Sequence, residues 1–265
     1  MFDEKAKLYV ERRGRIATIT INRPGQRNAI SYDMWVELKR LAAAVDADDE
    51  IRVLAIRGAG GEAFSAGADI AEFDKCRNDS AQARVYSDAF DGALDAIWEL
   101  NKPVIAMIQG FCVGGGLELA CCADLRIAGE GSRFGIPTAR LGVLVGYREM
   151  RRLIYLVGAG AASDILLSAR ILDAQQALDL GLVNRVIAPG ELENEVYRTA
   201  EDMAQMAPLI HRWHKQIMRT VLANPTLTGL TSDQEALPFA CFDTEDFQEG
   251  RRAFLEKRPG VFHGR

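Results

Sequence analysis

Residues 101 to 126 run NKPVIAMIQGFCVGGGLELACCADLR, and few local structures suit that order. Pro103 to Ile108 has strand length and β-branched content, and Gln109-Gly110 breaks it. Gly114, Gly115 and Gly116 then open an apolar segment, Leu117 to Cys122, that carries one carboxylate, Glu118. The pattern predicts strand, turn, glycine cluster, helix. Glycines at a helix start let another group approach the backbone, and the first N–H groups there point outward and favour negative charge. A carboxylate one turn into a mostly buried helix carries a desolvation cost. Together these point to an anion-binding backbone beside a general acid/base. Tight packing of helix on strand, with Glu118 reaching solvent, is what the glycines alone would also allow.

The flanking chain places this stretch in an α/β fold. Residues 8–13 and 15–21 alternate and predict a hairpin around Gly14, ended by Asn22-Arg23-Pro24-Gly25. A helix over 31–46 has Met34, Trp35, Leu38, Leu41, Ala42 and Val45 at helical spacing, and 51–57 reads as a strand. The loop Gly58 to Ile70 begins like a dinucleotide fingerprint, but no helix opens after it to hold a pyrophosphate. Ser65 to Asp69, held in a tight turn by Gly67, is better read as a second backbone donor. A helix over 80–100 returns the chain to the central stretch. A short strand, 125–128, leads to Phe134-Gly135-Ile136-Pro137-Thr138. Helices follow over 147–157, 161–168, 174–180, 190–206, 208–223 and 244–257, with one strand over 182–187. The composition turns all-helical near residue 190, which divides the chain into a core, 1–190, and a helical region, 191–265.

Several function classes are disfavoured. A net charge of −5 argues against a nucleic-acid binder, and no apolar stretch reaches membrane-spanning length. The segment MFDEKAKLYVERRG alternates charge without an apolar run, so no secretory signal is expected. The 5 cysteines show no C-x-x-C pair, and several sit in apolar runs, which suits reduced thiols in the cytoplasm. His211 and His214 share a helix face, but no third ligand has metal spacing; with Arg212, Lys215 and Arg219 they read as a solvated basic face. All 3 histidines lie beyond residue 210, and neither a G-x-S-x-G elbow nor a Walker A lysine is present.

Taken jointly, the motifs resemble the enoyl-CoA hydratase/isomerase (crotonase) superfamily. They are Asn22-Arg23-Pro24 with Asn28-Ala29; Phe64-Ser65-Ala66-Gly67-Ala68-Asp69-Ile70; Lys102 to Ala106 with Gly110 and Gly114 to Leu119; Phe134-Gly135-x-Pro137; Gly181-Leu182-Val183; and Phe254 to Arg258. They cover nearly the whole chain in the family's order. The resemblance implies a crotonase-like spiral of β-β-α units with a C-terminal helical region that builds trimers, often paired into hexamers. It implies an acyl-CoA thioester as substrate, coenzyme A as part of that substrate, and no permanently bound cofactor or metal. By motif position, the N–H groups of Ala68 and Gly115 form the oxyanion hole and Glu118 is the acid/base. Two preplaced donors on a thioester enolate are worth about 3–4 kcal/mol each. Ala66, Ala68, Asp69 and Ile70 would lie along the CoA, and Lys257 would reach its phosphates.

One position departs from the family pattern. The second glutamate of the familiar hydratases falls at Thr138, whose hydroxyl cannot do a carboxylate's work near neutral pH. The chain is therefore expected to be a hydratase first. The alternatives are an isomerase or specialised lyase or decarboxylase using one glutamate, or an inactive acyl-CoA-binding member. Gly146-Tyr147-Arg148-Glu149 replaces a glycine-rich family segment, so Tyr147 or Glu149 could supply the missing group. Arg140 or Arg148 could pair with a substrate carboxylate.

Overall fold

A computed structural model describes residues 6–265. Residues 1–5, the start of the segment read as lacking a secretory signal, lie outside the described residues. Strands β1 (Leu8–Arg13) and β2 (Ile16–Ile21) form the antiparallel hairpin, turning at Gly14 with φ 57°. Helix α1 (Tyr32–Ala47) follows, then β3 (Val53–Gly58) and the short β4 (Ala63–Ser65). After α2 (Phe73–Cys76) and α3 (Ser80–Trp98) the pattern repeats with β5 (Val104–Ile108), β6 (Phe111–Val113) and α4 (Gly115–Ala120). It repeats again with β7 (Leu125–Gly129), β8 (Arg133–Gly135) and α5 (Tyr147–Ser168). The chain then runs through β9 (Leu172–Asp173), α6 (Ala174–Asp179), β10 (Arg185–Ile187), α7 (Leu192–Ala204), α8 (Pro208–Ala223), α9 (Ser232–Ala236) and α10 (Glu245–Glu256).

Two sheets result. The larger has the order β1-β2-β3-β5-β7-β10, parallel from β2 onward; the smaller has the order β4-β6-β8-β9. Each repeat puts its first strand in the large sheet and its second, three residues long, in the small one. That is the expected spiral of β-β-α units. The strands of the small sheet are too short to show alternation, so the sequence pattern leaves them as loop.

Helices cover both faces of the large sheet, as parallel strands require. One core layer packs α1 and α3 on the sheet, centred on Trp35, whose indole N–H donates to Tyr86 Oη at 2.9 Å and whose ring meets Phe90 edge-on. On the other face Val196 and Ala200 of α7 pack on Ile16, Val53, Ile105 and Ile127.

Two expectations need correction, and a third is met. The strand expected over 182–187 pairs only at Arg185–Ile187, because Leu182 and Val183 turn inward to fill the core. The two helices expected over 147–157 and 161–168 are present, separated by a kink at Gly158 with φ 74° and ψ 164°. The basic face on α8 is not all solvated: Lys215 is buried, with Nζ 2.6 Å from Asp124 Oδ2 and donating to Lys102 O at 2.9 Å. Asp124 also accepts from Val104 N at 2.7 Å, so this contact fastens α8 to the start of β5.

Candidate active site

The loop after β4 and the start of α4 meet because glycines let their backbones touch. Gly67 has φ 91°, and a Cβ there would lie 2.8 Å from Gly115 N and 2.9 Å from Val113 O. A Cβ at Gly116 would come within 2.5 Å of Ser65 O. Gly114, with φ 53° and ψ −132°, turns β6 into α4. None of these three positions accepts a side chain without moving backbone.

A hydrogen-bonded clamp holds the loop from behind. Asn28, fully buried with φ 56°, accepts from Arg23 N at 2.9 Å and donates to Ala59 O at 2.9 Å and Ala63 O at 2.6 Å. Ser65 Oγ donates to Asn28 O at 2.8 Å and accepts from Gly67 N at 3.0 Å. Arg23 Nη1 reaches Asp69 Oδ2 at 2.8 Å. Ile30 bridges the loop, donating to Gly67 O at 2.8 Å and accepting from Asp69 N at 2.9 Å. In such a parallel bridge the residue between the two bonded groups, Ala68, turns its own N–H the opposite way. It therefore faces α4, where the ideal Cβ position of Gly115 is 3.4 Å from Ala68 N. Gly115, in the first turn of α4, has no helical acceptor for its N–H.

These two N–H groups border a cavity of about 230 Å³. Its apolar lining includes Ala66, Ala68, Ile70, Phe90, Val113, Leu141, Val143 and Leu144. Glu118 lies in its wall at 8% exposure. Burial pushes its carboxyl up to about 8; the negative charge of Glu149 adds to this, while Arg77 opposes it. Glu149, at 4% exposure, lines the same cavity. Its position in the first turn of α5 points it back over the helix N-terminus, where a side chain on Gly146 would collide with it. Burial raises its carboxyl too, with Asp91 and Asp95 adding, and its own backbone N–H and Arg152 opposing. The arrangement thus brings a second carboxylate to the cavity from a different element than the one carrying Thr138. Thr138 itself lines the wall beside Pro137.

Other expected residues fall elsewhere. Tyr147 is 98% exposed and does not line the cavity; two residues before Glu149 on a helix, it projects from nearly the opposite face. Arg148 is paired with Asp95 of α3, and Arg140 donates to Ala169 O at 2.9 Å; neither lines the cavity. The Asp69 carboxylate accepts from Arg23 and from Ala71 N, holding the loop rather than lining the cavity. Lys257, the left-handed cap of α10, lies outside the lining of its own protomer's cavity. Sequence patterns missed Asp91, Ser87 and Arg77 in the lining, as well as Arg152 behind Glu149. Asp91 and Asp95 are four apart on α3, and Arg148 and Arg152 four apart on α5. That complementary spacing is visible in sequence, but the pairing of the two helices is not. Among the described residues no group of three or more His, Cys, Asp or Glu side chains could hold a metal.

The site has two backbone donors facing one space, a carboxyl held protonated near neutral pH, and two further carboxyls, Glu149 and Asp91, in the same lining. That geometry suits charge development on a carbonyl oxygen coupled to proton movement at neighbouring carbons. Residues 11–265 match the family model for enoyl-CoA hydratase/isomerase. A short-chain-enoyl-CoA hydratase of Clostridium acetobutylicum is 35% identical over 96% of this chain and 97% of its own. A crotonyl-CoA hydratase of Syntrophomonas wolfei is 36% identical over the same shares. A crystal structure described as an enoyl-CoA hydratase/carnithine racemase from Magnetospirillum magneticum superimposes with a TM-score of 0.95 at 40% identity, covering 100% of this chain and 97% of that one. The chain belongs to the enoyl-CoA hydratase/isomerase family and has the crotonase fold.

Proposed function

We propose that the protein is an enoyl-CoA hydratase whose acid/base pair is Glu118 and Glu149. The observation that carries this reading is the convergence of Glu149 on the Glu118 cavity, which offsets the threonine at position 138. The thioester oxygen of a 2-enoyl-CoA would sit between Ala68 N–H and Gly115 N–H. Glu149, as carboxylate, takes a proton from water as the oxygen bonds to Cβ. The π electrons move toward the thioester, where the two N–H groups stabilise the enolate. Glu118, as acid, delivers its proton to Cα as the enolate collapses. One water is added, and the dyad is left with its proton moved from Glu118 to Glu149. Two carboxyl groups with unlike surroundings suit unlike roles.

The binding mode follows from the same walls. Ala66, Ala68 and Ile70 would line the pantetheine path, and coenzyme A would enter as part of the substrate, with no resident cofactor. Lys257, exposed on α10, would serve the CoA phosphates of a neighbouring protomer. The helical region, 191–265, would build a trimer or a dimer of trimers. Its support is the apolar surface left on one protomer, Phe239, Phe242, Phe254 and Leu255 included. Buried free thiols at Cys112, Cys121 and Cys122 suit the cytoplasm. Among the described residues no helix is long and apolar enough to cross a membrane.

The test is incubation with crotonyl-CoA in deuterated water, following enoyl absorbance and product mass. Loss of absorbance with formation of the singly deuterated 3-hydroxyacyl product is expected. Tight thioester binding without hydration would overturn the reading.

A further inference from the structure

Arg152 is 1% exposed, yet it lies one helical turn behind Glu149 and outside the cavity lining. Its Nη2 donates to Asp95 Oδ1, and its guanidinium carbon lies 5.5 Å from the centre of the Trp98 ring. Its Nη1 is 3.7 Å from Glu149 Oε1. Among the described residues Arg152 Nε, Arg152 Nη1 and Glu149 Oε1 have no hydrogen-bond partner. An unpartnered guanidinium edge at this depth is costly unless an anion faces it. The contact to Glu149 is electrostatic and is made to the buried Oε1, not to the Oε2 that lies by Gly146.

We infer that Arg152, anchored by Asp95, is a positioning residue that makes Glu149 rather than Glu118 the ionised member of the pair, and so sets which carboxyl activates water and which protonates carbon. The inference rests on the hydratase reading above. Burial disfavours the charge of Glu149 and its own backbone N–H favours it; the charged neighbours add to these. From α3, Asp91 and Asp95 disfavour its charge; from α4, Glu118 does so whenever it is ionised, and the Cys122 thiol is neutral. On its own helix Arg148 is paired with Asp95, which leaves Arg152 as the cation that opposes burial. Glu118 has no such cation at contact distance; Arg77, which opposes its neutral form, stacks over the Phe73 and Tyr86 rings at 5.1 Å each. Burial disfavours the charge on both carboxyls, and Arg152 offsets it at Glu149, where Glu118 has no cation at contact distance.

The inference gives opposite signs for two substitutions. With Arg152→Gln the ionised form of Glu149 loses its cation, so the acid limb of the kcat/KM profile for crotonyl-CoA should move up by roughly 1–3 pH units. With Asp95→Asn a negative neighbour disappears and Arg152 keeps its charge, so the limb should move down. Arg152→Lys should return most of the limb toward wild type, with KM nearly constant across the set. Asp95 is partly exposed, so the downward shift can be read even if Arg152→Gln does not fold. A limb that stays fixed, or moves the same way in both variants, would overturn the inference while leaving hydration itself intact. Absence of hydration by the wild-type protein would instead remove the reading on which the inference rests.

Discussion

Glu118 is where function and stability pull against each other. Its carboxyl is held near 8 when folded and near 4.5 when unfolded, so between those values the folded state binds the extra proton. Stability conferred by the protonated form is therefore complete below about 4.5 and falls as pH rises toward 8, by roughly 1.4 kcal/mol per pH unit as an upper figure. Glu118→Gln keeps shape and stays neutral. It should melt above wild type at pH 8, with the advantage vanishing near pH 4.5; equal melting temperatures at both pH values would contradict the buried, uncharged state. Glu118 could be singled out in sequence because a lone carboxylate in an apolar run stands out. Glu149 could only be offered beside Tyr147, because two residues apart on a chain say nothing about facing until the helix start is fixed. Thr138 marks the gap, and only the packing of α5 against the cavity shows what faces it.

The loop after β4 depends on Asn28 more than on any residue it contains. Removing that side chain leaves Arg23 N without its acceptor and Ala59 O and Ala63 O without their donor, all close to the buried left-handed turn. Asn28→Ala should cost about 3 kcal/mol in urea unfolding and lower kcat, because Ala68 N–H loses its aim. Full stability would show that the loop is held by its glycines alone. On α8, Lys215→Met should cost about 2–3 kcal/mol, toward the lower end for buried pairs because Asp124 remains partly exposed. Long periodic elements such as α1, α3 and β5 were evident from spacing, within a residue or two. The two- and three-residue strands of the small sheet were not, since their only signature is the partner strand. Lys215 was hidden among Arg212, His214 and Arg219, where composition suggests solvent and the structure provides Asp124.

The protomer leaves Phe254 83% and Leu255 74% exposed on α10, next to Phe239 and Phe242. Isolated apolar residues at a surface need no explanation, but a group on consecutive helices does. The proposed trimer would cover them. Light scattering should give a mass of three or six protomers, and Phe254→Glu with Leu255→Glu should lower it; an unchanged mass would place the interface elsewhere. The spiral fold, by contrast, was implied by the family resemblance that the order of motifs along the chain carries. What the motif order could not supply is how α5 returns to the cavity. That return brings Glu149 to Glu118 and Arg152 to Asp95.

The direct test of the central claim is the hydration rate of crotonyl-CoA by Glu149→Gln, set beside Thr138→Ala and wild type. The account predicts that Glu149→Gln lowers kcat by about 100-fold or more while Thr138→Ala stays within a few-fold. Full turnover by Glu149→Gln would contradict it, and the acid/base pair would have to be sought elsewhere in the cavity.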